Sequence, residues 1–254
     1  MKILLTGATG YIGKRLLPLL LDHGNEVICC VRDKNRFYFP EQFENKIQVI
    51  EADFLDPESL KSIPDDIDAA YYLIHSMSGA SNYDQLESIS AHYFIEKINQ
   101  TNAKQIIYLS GIVNDKSLSK HLSSRKAVED ILKTAALPLT VLRAGIIVGS
   151  GSASFEIIRD LVDKLPLMIT PKWLNTKCQP IAISDVLEFL IRSLLNPAVY
   201  GESFDIGGPD ILTYKEMLAG VCQSKKTTEI HLHRTGDDPE IIVLLAVFCD
   251  FNFL

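Results

Sequence analysis

"LLTGATGYIGKRL", residues 4–16, runs from an apolar stretch through three glycines into a basic, leucine-rich one. The spacing Gly7-x-x-Gly10-x-x-Gly13 closes one buried run and opens the next. Glycine tolerates the positive φ of a tight turn, lets backbone approach a ligand closely, and lets a helix pack hard on a strand. A strand-to-helix junction needs all three, and there the helix amides and the positive end of its dipole meet phosphates. Gly7, Thr9, Gly10, Tyr11, Ile12 and Gly13 are therefore the candidate cradle for a dinucleotide diphosphate. The alternative is a glycine-rich turn with no ligand, and the position between a strand and a helix favours the first reading.

Downstream, strand and helix signals alternate, which calls for a parallel sheet wrapped by helices. The strands are predicted at 2–7, 26–33, 47–54, 68–77, 104–113 and 137–149. Between them the helices are predicted at 13–24, strained by Pro18 and capped by Gly24, then at 57–63, 83–102 and 123–135. The fold class expected is α/β, a doubly wound parallel sheet. After Gly149 the simple alternation ends, with helices read at 152–165 and 184–196 and a strand with a turn at 200–208. Residues 1–150 are read as the binding core, 151–222 as a small substrate-side cap, and 223–254 as an atypical tail.

Bulk properties narrow the partners. With 254 residues, 47% hydrophobic and 22% charged, the chain has the makings of an ordinary globular core. A net charge of −7 supplies no basic field, so nucleic acid is not an expected partner. The five cysteines, Cys29, Cys30, Cys178, Cys222 and Cys249, form no C-x-x-C pair, which argues against a disulfide framework or zinc site. His231 and His233 have no acid or cysteine at ligand spacing, so no metal is expected. No signal peptide is read at the start, and no apolar run approaches the ~20 residues of a membrane-spanning helix. The expected location is cytoplasmic.

Strand ends choose the cofactor. An acid at the end of the second strand usually binds the ribose of NAD, whereas an arginine accommodates the 2′-phosphate of NADP. Here the strand ends Val31-Arg32-Asp33, so Arg32 favours NADP(H) while Asp33 keeps NAD(H) in play. Asp53 and Phe54, ending the third strand, are candidates for the adenine side. His75 and Ser76 follow the fourth strand, at the edge where the nicotinamide ribose would lie. A loop-facing polar pair is the alternative.

TGATGYIG (6–13), EADFLD (51–56) and YLSGI (108–112) occur in that order, followed by MITPKWLNTKCQPIAISDVLEFL (168–190) and GESFDIGGPDILTYKEML (201–218). With these motifs the chain resembles the extended and atypical, NmrA-like short-chain dehydrogenase/reductases, among them NAD(P)H-binding proteins with a C-terminal DUF2867 domain. The resemblance covers roughly residues 1–221 and implies a Rossmann-type NAD(P)-binding fold. It also implies a serine after the fifth strand and a Y-x-x-S-K-x-x-x-E helix as the chemical groups. The matching positions are Ser110 and the segment His121 to Glu129. His121 stands where the tyrosine belongs, and Arg125 replaces the lysine.

Histidine titrates near neutrality and can serve as a general acid, whereas Arg125 can hold a ribose but cannot trade protons. Lys126 is one residue out of register and should point elsewhere on the helix. Arg143, Ser184 and Asp185 are read as structural or substrate-proximal, and Trp173 as lining the cleft or packing. The substitutions leave two readings: an oxidoreductase of unknown small-molecule substrate, or a cofactor-binding redox sensor, regulatory or assembly protein without turnover.

The tail has its own signal. Thr235 to Leu254 can be back-translated so that dropping one base yields PVMTPKLSSYWLYFVTSTS, which resembles the family's next segment. Residues 223–254 are therefore read as out of frame and the chain as truncated, against the alternative of a natural lineage-specific tail.

Overall fold

The computed structural model describes residues 1–39, 41–75, 82–112, 120–164, 167–170, 172–224, 228–232 and 243–248. The opening apolar run is strand β1 (Lys2–Thr6), and helix α1 (Tyr11–Asp22) starts just after Gly10. Proline lacks the N–H that would reach the Lys14 carbonyl, yet α1 continues through Pro18. It ends in a left-handed cap at Gly24 (φ +79°), whose amide donates to the Leu21 carbonyl at 2.9 Å while the Asn25 amide reaches Leu20.

The chain continues through β2 (Glu26–Val31), β3 (Ile47–Glu51), β4 (Ala69–Tyr72), α2 (Tyr83–Ile98), β5 (Ile106–Gly111), α3 (Lys120–Leu132) and β6 (Leu139–Ala144). The helix predicted at 57–63 is one short 3-10 turn, Ser59–Ser62, because the Ser59 hydroxyl ties it back to the Asp53 carbonyl and amide. The sixth predicted strand divides. After β6, Ile147–Val148 forms a separate strand, β7. At the break a Cβ on Gly145 would lie 2.0 Å from the Gln179 carbonyl oxygen, a close approach that only glycine permits.

Further on come α4 (Ala153–Lys164), β8 (Leu167–Thr170), β9 (Lys177–Cys178), β10 (Ile181–Ala182), α5 (Ile183–Ser193) and β11 (Ser203–Ile206). The last elements are β12 (Leu212–Thr213), α6 (Tyr214–Ser224), β13 (Thr228–Leu232) and β14 (Val243–Phe248). Two compact units result: Met1–Ala144 with Ser184–Ile206, and Gly145–Ile183 with Gly207–Leu254.

The first unit is the doubly wound sheet. Its seven strands run in the order β11-β6-β5-β4-β1-β2-β3, and all neighbours are parallel. Strands buried on both faces read as continuous apolar runs. On one face Leu4, Ile28, Ile50, Ala70, Tyr72 and Tyr108 join Phe94 of α2 and Val128 of α3 in a single core. On the other face Tyr71 is fully buried, and its hydroxyl donates to the Leu190 carbonyl of α5 at 3.0 Å.

Gln105, fully buried just before β5, closes this unit. Its amide donates to Thr140 Oγ1 (2.8 Å) and the Ser193 carbonyl (2.9 Å), and its oxygen accepts from the Leu195 amide (2.6 Å). That clamp fastens the end of α5 beside β5 and β6, from where β11 returns to pair with β6.

The second unit packs α4 and α6 around Ile158, Val162, Leu174, Met217 and Leu218. Its strands form small sheets, β10-β7, β12-β9 and β13-β14-β8. No helix among the described residues is long and apolar enough to cross a membrane.

Candidate functional site

Strand order reverses between β1 and β4, and in open α/β sheets the crevice beyond such a point takes the ligand. Thr6 binds the two strand ends together. Its hydroxyl donates to the Tyr71 carbonyl at 2.9 Å and accepts from the Leu73 amide at 3.1 Å. Gly7 follows at φ +66°, and a Cβ there would lie 2.5 Å from the Leu73 carbonyl oxygen. Across the turn, a Cβ on Gly13 would stand 2.3 Å from the Gly7 carbonyl oxygen and 2.9 Å from Ala8 Cα. Both glycines are thus dictated by backbone.

The Gly10 amide closes the turn onto the Gly7 carbonyl at 2.9 Å, and the first helical bond runs from the Lys14 amide to the Gly10 carbonyl at 3.0 Å. The amides of Tyr11, Ile12 and Gly13 precede that bond and have no helical acceptor. No acidic residue occupies the first turn of α1, and no side chain caps it. Thr9 and Gly10 are exposed beside it. Open amides, an unopposed dipole and a backbone cradle fit a diphosphate. Tyr11 is also pinned from the side, with the Arg15 guanidinium 4.0 Å above its ring.

At the end of β2, Arg32 is exposed and makes no hydrogen bond or ion pair among the described residues. Asp33 is occupied. Its carboxylate accepts from the Asn35 amide at 2.9 Å, capping the turn Lys34–Arg36, and lies 3.9 Å from Arg36. Asp53 likewise accepts from the Leu55 amide at 3.0 Å. The Phe54 ring belongs to the core, where it packs on Phe94 with centroids 6.0 Å apart, which leaves its backbone at the strand end to face a ligand.

The second half of the site gathers at the end of β5. Tyr108 and Ser110 share a face of the strand. The Tyr108 hydroxyl donates to the Arg125 carbonyl of α3 at 3.3 Å, and burial pushes its phenol up to about 12. Ser110 is 1% exposed; its hydroxyl comes near the Tyr108 phenol but meets no partner at hydrogen-bonding geometry among the described residues. Arg125 lies against Gly111, whose missing Cβ would stand 3.6 Å from Arg125 Cδ and 3.8 Å from Nη1. Burial lowers the basicity of its guanidinium, and its Nε is buried without a partner.

Glu87 of α2 is the residue that the sequence reading missed. It is 4% exposed, accepts from His75 Nδ1 at 2.8 Å, and is bonded by the Ser124 hydroxyl of α3. A signal existed: Glu87 stands at helical spacing with Ser90, Ala91 and Phe94, on the buried face of α2. The structure therefore brings His75, Ser110 and Arg125 to one region through Glu87, Ser124 and Tyr108.

The remaining candidates disperse. His121 belongs to α3, but its side chain lies outside the described residues, as do the side chain of Trp173 and all of Ser76 and His233. Lys126 pairs with Asp130 on the outer surface of α3. Arg143 is structural, donating through Nε (3.0 Å) and Nη2 (2.6 Å) to the buried Glu129. Ser184 and Asp185 are exposed and bond to each other. Among the described residues no three His, Cys, Asp or Glu side chains cluster as metal ligands.

Residues 7–165 match the model of the NAD(P)H-binding family. Photosystem II assembly factor Ycf39 of Trieres chinensis is 26% identical over 242 residues, covering 91% of this chain and 73% of that one. An isoflavone reductase homolog of Lupinus albus is 23% identical over 236 residues, covering 85% and 73%. Among solved structures, a nucleoside-diphosphate-sugar epimerase of Staphylococcus aureus superimposes with a TM-score of 0.74 at 18% identity, over 89% of this chain and 77% of that one. The dTDP-glucose 4,6-dehydratase DesIV of Streptomyces venezuelae, solved with NAD bound, gives 0.72 at 17% identity over 88% and 81%. At such identities the structural likeness concerns the fold.

Proposed function

The chain belongs to the NAD(P)H-binding family, as an atypical short-chain dehydrogenase/reductase, and on that premise we propose that it is an NADP(H)-dependent oxidoreductase acting on a small carbonyl compound. The observation that carries the reading is the backbone cradle at the β1–β4 crevice, where Gly7 and Gly13 admit no side chain and three α1 amides stand open. These amides would hold the diphosphate. Preference for NADP(H) is supported by Arg32, which is exposed and without a partner among the described residues, while Asp33 spends its carboxylate on its own turn.

When bound, the dinucleotide supplies the hydride. Ser110 would donate to the carbonyl oxygen from the end of β5, and His121 or water would provide the proton. Glu87 holds His75 through Nδ1, which orients that imidazole at the end of β4. A cytoplasmic location belongs to the same proposal, supported by the free thiols of Cys29, Cys30 and Cys178.

A second reading has a specific observation in its favour. His121 and Arg125 replace the proton-trading tyrosine and lysine, and the Ycf39 relative is named for assembly rather than turnover. Such a protein would bind NADP(H) and act on a partner.

Fluorescence titration with NADPH and NADH tests the shared premise, with saturation by NADPH expected at lower concentration. Cofactor oxidation against a panel of carbonyls and quinones, repeated with His121→Ala, separates the readings. Oxidation lost in the variant supports the enzyme with His121 as acid. Cofactor binding with no oxidation across the panel favours the assembly protein.

A further inference from the structure

Arg125 poses a problem of charge. Arg125 is half-buried and its Nε is withdrawn from water, and a charged donor so placed needs an acceptor, best an anion, because leaving it unpaired is costly. Yet Arg125 makes no ion pair and no side-chain hydrogen bond among the described residues, and its Nε is buried without a partner. The carboxylate whose field it feels is Glu87, and that group is bonded by His75 and Ser124 instead. A second buried donor lies nearby: the Ser110 hydroxyl, one residue before the Gly111 against which Arg125 rests. Arginine keeps its charge at any working pH, and the fields of Glu87 and Tyr108 offset its burial only in part.

We propose that Arg125 and Ser110 form an oxyanion subsite at the end of β5, and that the protein's small-molecule ligand carries a carboxylate or phosphate which docks there. The inference that this ligand is a substrate rests on the function proposed above, in which the Ser110 hydroxyl would be shared between the carbonyl and an acid group on the neighbouring carbon; the subsite does not. The hydroxyls of a cofactor ribose are neutral and would leave the guanidinium uncompensated. An anion bonded by Nε and capped by the Ser110 hydroxyl compensates it with charge-assisted bonds.

The experiment measures melting temperature and calorimetric binding with acetate, malonate and inorganic phosphate, using acetamide as the neutral control. Wild-type protein, Arg125→Met, Arg125→Lys and Ser110→Ala are each compared with and without saturating NADP+. The expected result is anion binding that raises the wild-type melting temperature, persists with NADP+ and is absent for acetamide. Arg125→Met should weaken it at least about tenfold and Ser110→Ala by a smaller factor, as expected for charged and neutral donors. Arg125→Met should also melt higher than wild type in anion-free buffer, because a charge whose burial is only partly offset has been removed.

Preference for the carboxylates or for phosphate identifies the ligand's acid group. If Arg125→Met does not fold, Arg125→Lys decides: it keeps the charge but loses the fork, so weaker binding supports the subsite and unchanged binding overturns it. No anion binding at tens of millimolar, equal binding in Arg125→Met, or loss of binding when NADP+ is present each overturn the proposal. NADPH fluorescence on the same samples reports the cofactor reading separately.

Discussion

The β1–α1 junction and the end of β5 open on the same edge of one sheet, yet they are made of different material. At the junction the neighbours of Gly7 and Gly13 are backbone atoms, 2.5 and 2.3 Å from where a Cβ would sit. At Gly111 the neighbours are side chains, Leu122 Cδ2 at 3.2 Å and Arg125 Cδ at 3.6 Å. A cradle of backbone asks only for glycine and an open helix end, so it survives large changes elsewhere in a sequence. A site of side chains changes its chemistry with each replacement, as His121 and Arg125 do here. Cofactor binding and chemistry can therefore drift apart within one domain.

The contrast is broken most directly at Gly13. Gly13→Ala must push the Gly7 carbonyl aside, so a stability loss of about 3 kcal/mol and loss of NADPH binding are expected. Urea denaturation and cofactor fluorescence measure the two, and a variant that bound NADPH like the wild type would refute a cradle made of backbone. Arg32→Ala tests the one side chain assigned to the cofactor half. Removing a charged contact worth about 1.5–3 kcal/mol should weaken NADPH by one to two orders of magnitude while leaving NADH unchanged.

On the side-chain half, Glu129 of α3 is fully buried. Burial would raise its pKa, but hydrogen bonds from Arg143 and Lys133 outweigh that and hold the carboxyl at about 2. Its folded value is thus below the unfolded one of about 4.3, so its stabilisation is complete above that pH and fades as the pH falls toward 2. Melting curves between pH 5 and 2 should fall more steeply for the wild type than for Glu129→Gln. The smallest effect is expected at Gly111→Ala. Side chains can yield where backbone cannot, so the change should stay within about 1 kcal/mol and leave NADPH affinity intact.

The same division governs what the sequence reveals. Strands β1 to β5 and the turn at Gly7–Gly13 follow from local rules, because apolar runs, spacing and glycine punctuation act over a few residues. Glu87 did not stand out, since its role depends on His75 and Ser124 arriving from β4 and α3. The place of Phe54 at a strand end is local, whereas the packing of its ring on Phe94 of α2 is long-range and has no local signal. The break between β6 and β7 was hidden for a like reason, because the Gln179 backbone that excludes a side chain at Gly145 lies far along the chain.

The return of β11 to β6 has a practical consequence. A fragment ending at residue 150, where the regular alternation stops, would leave Leu139–Ala144 as a bare strand with unpaired carbonyls and amides. Gln105 would keep Thr140 but lose Ser193 and Leu195. An open, apolar rim of that kind recruits other chains, so shortening this protein to its apparent nucleotide module would produce aggregates rather than a minimal domain.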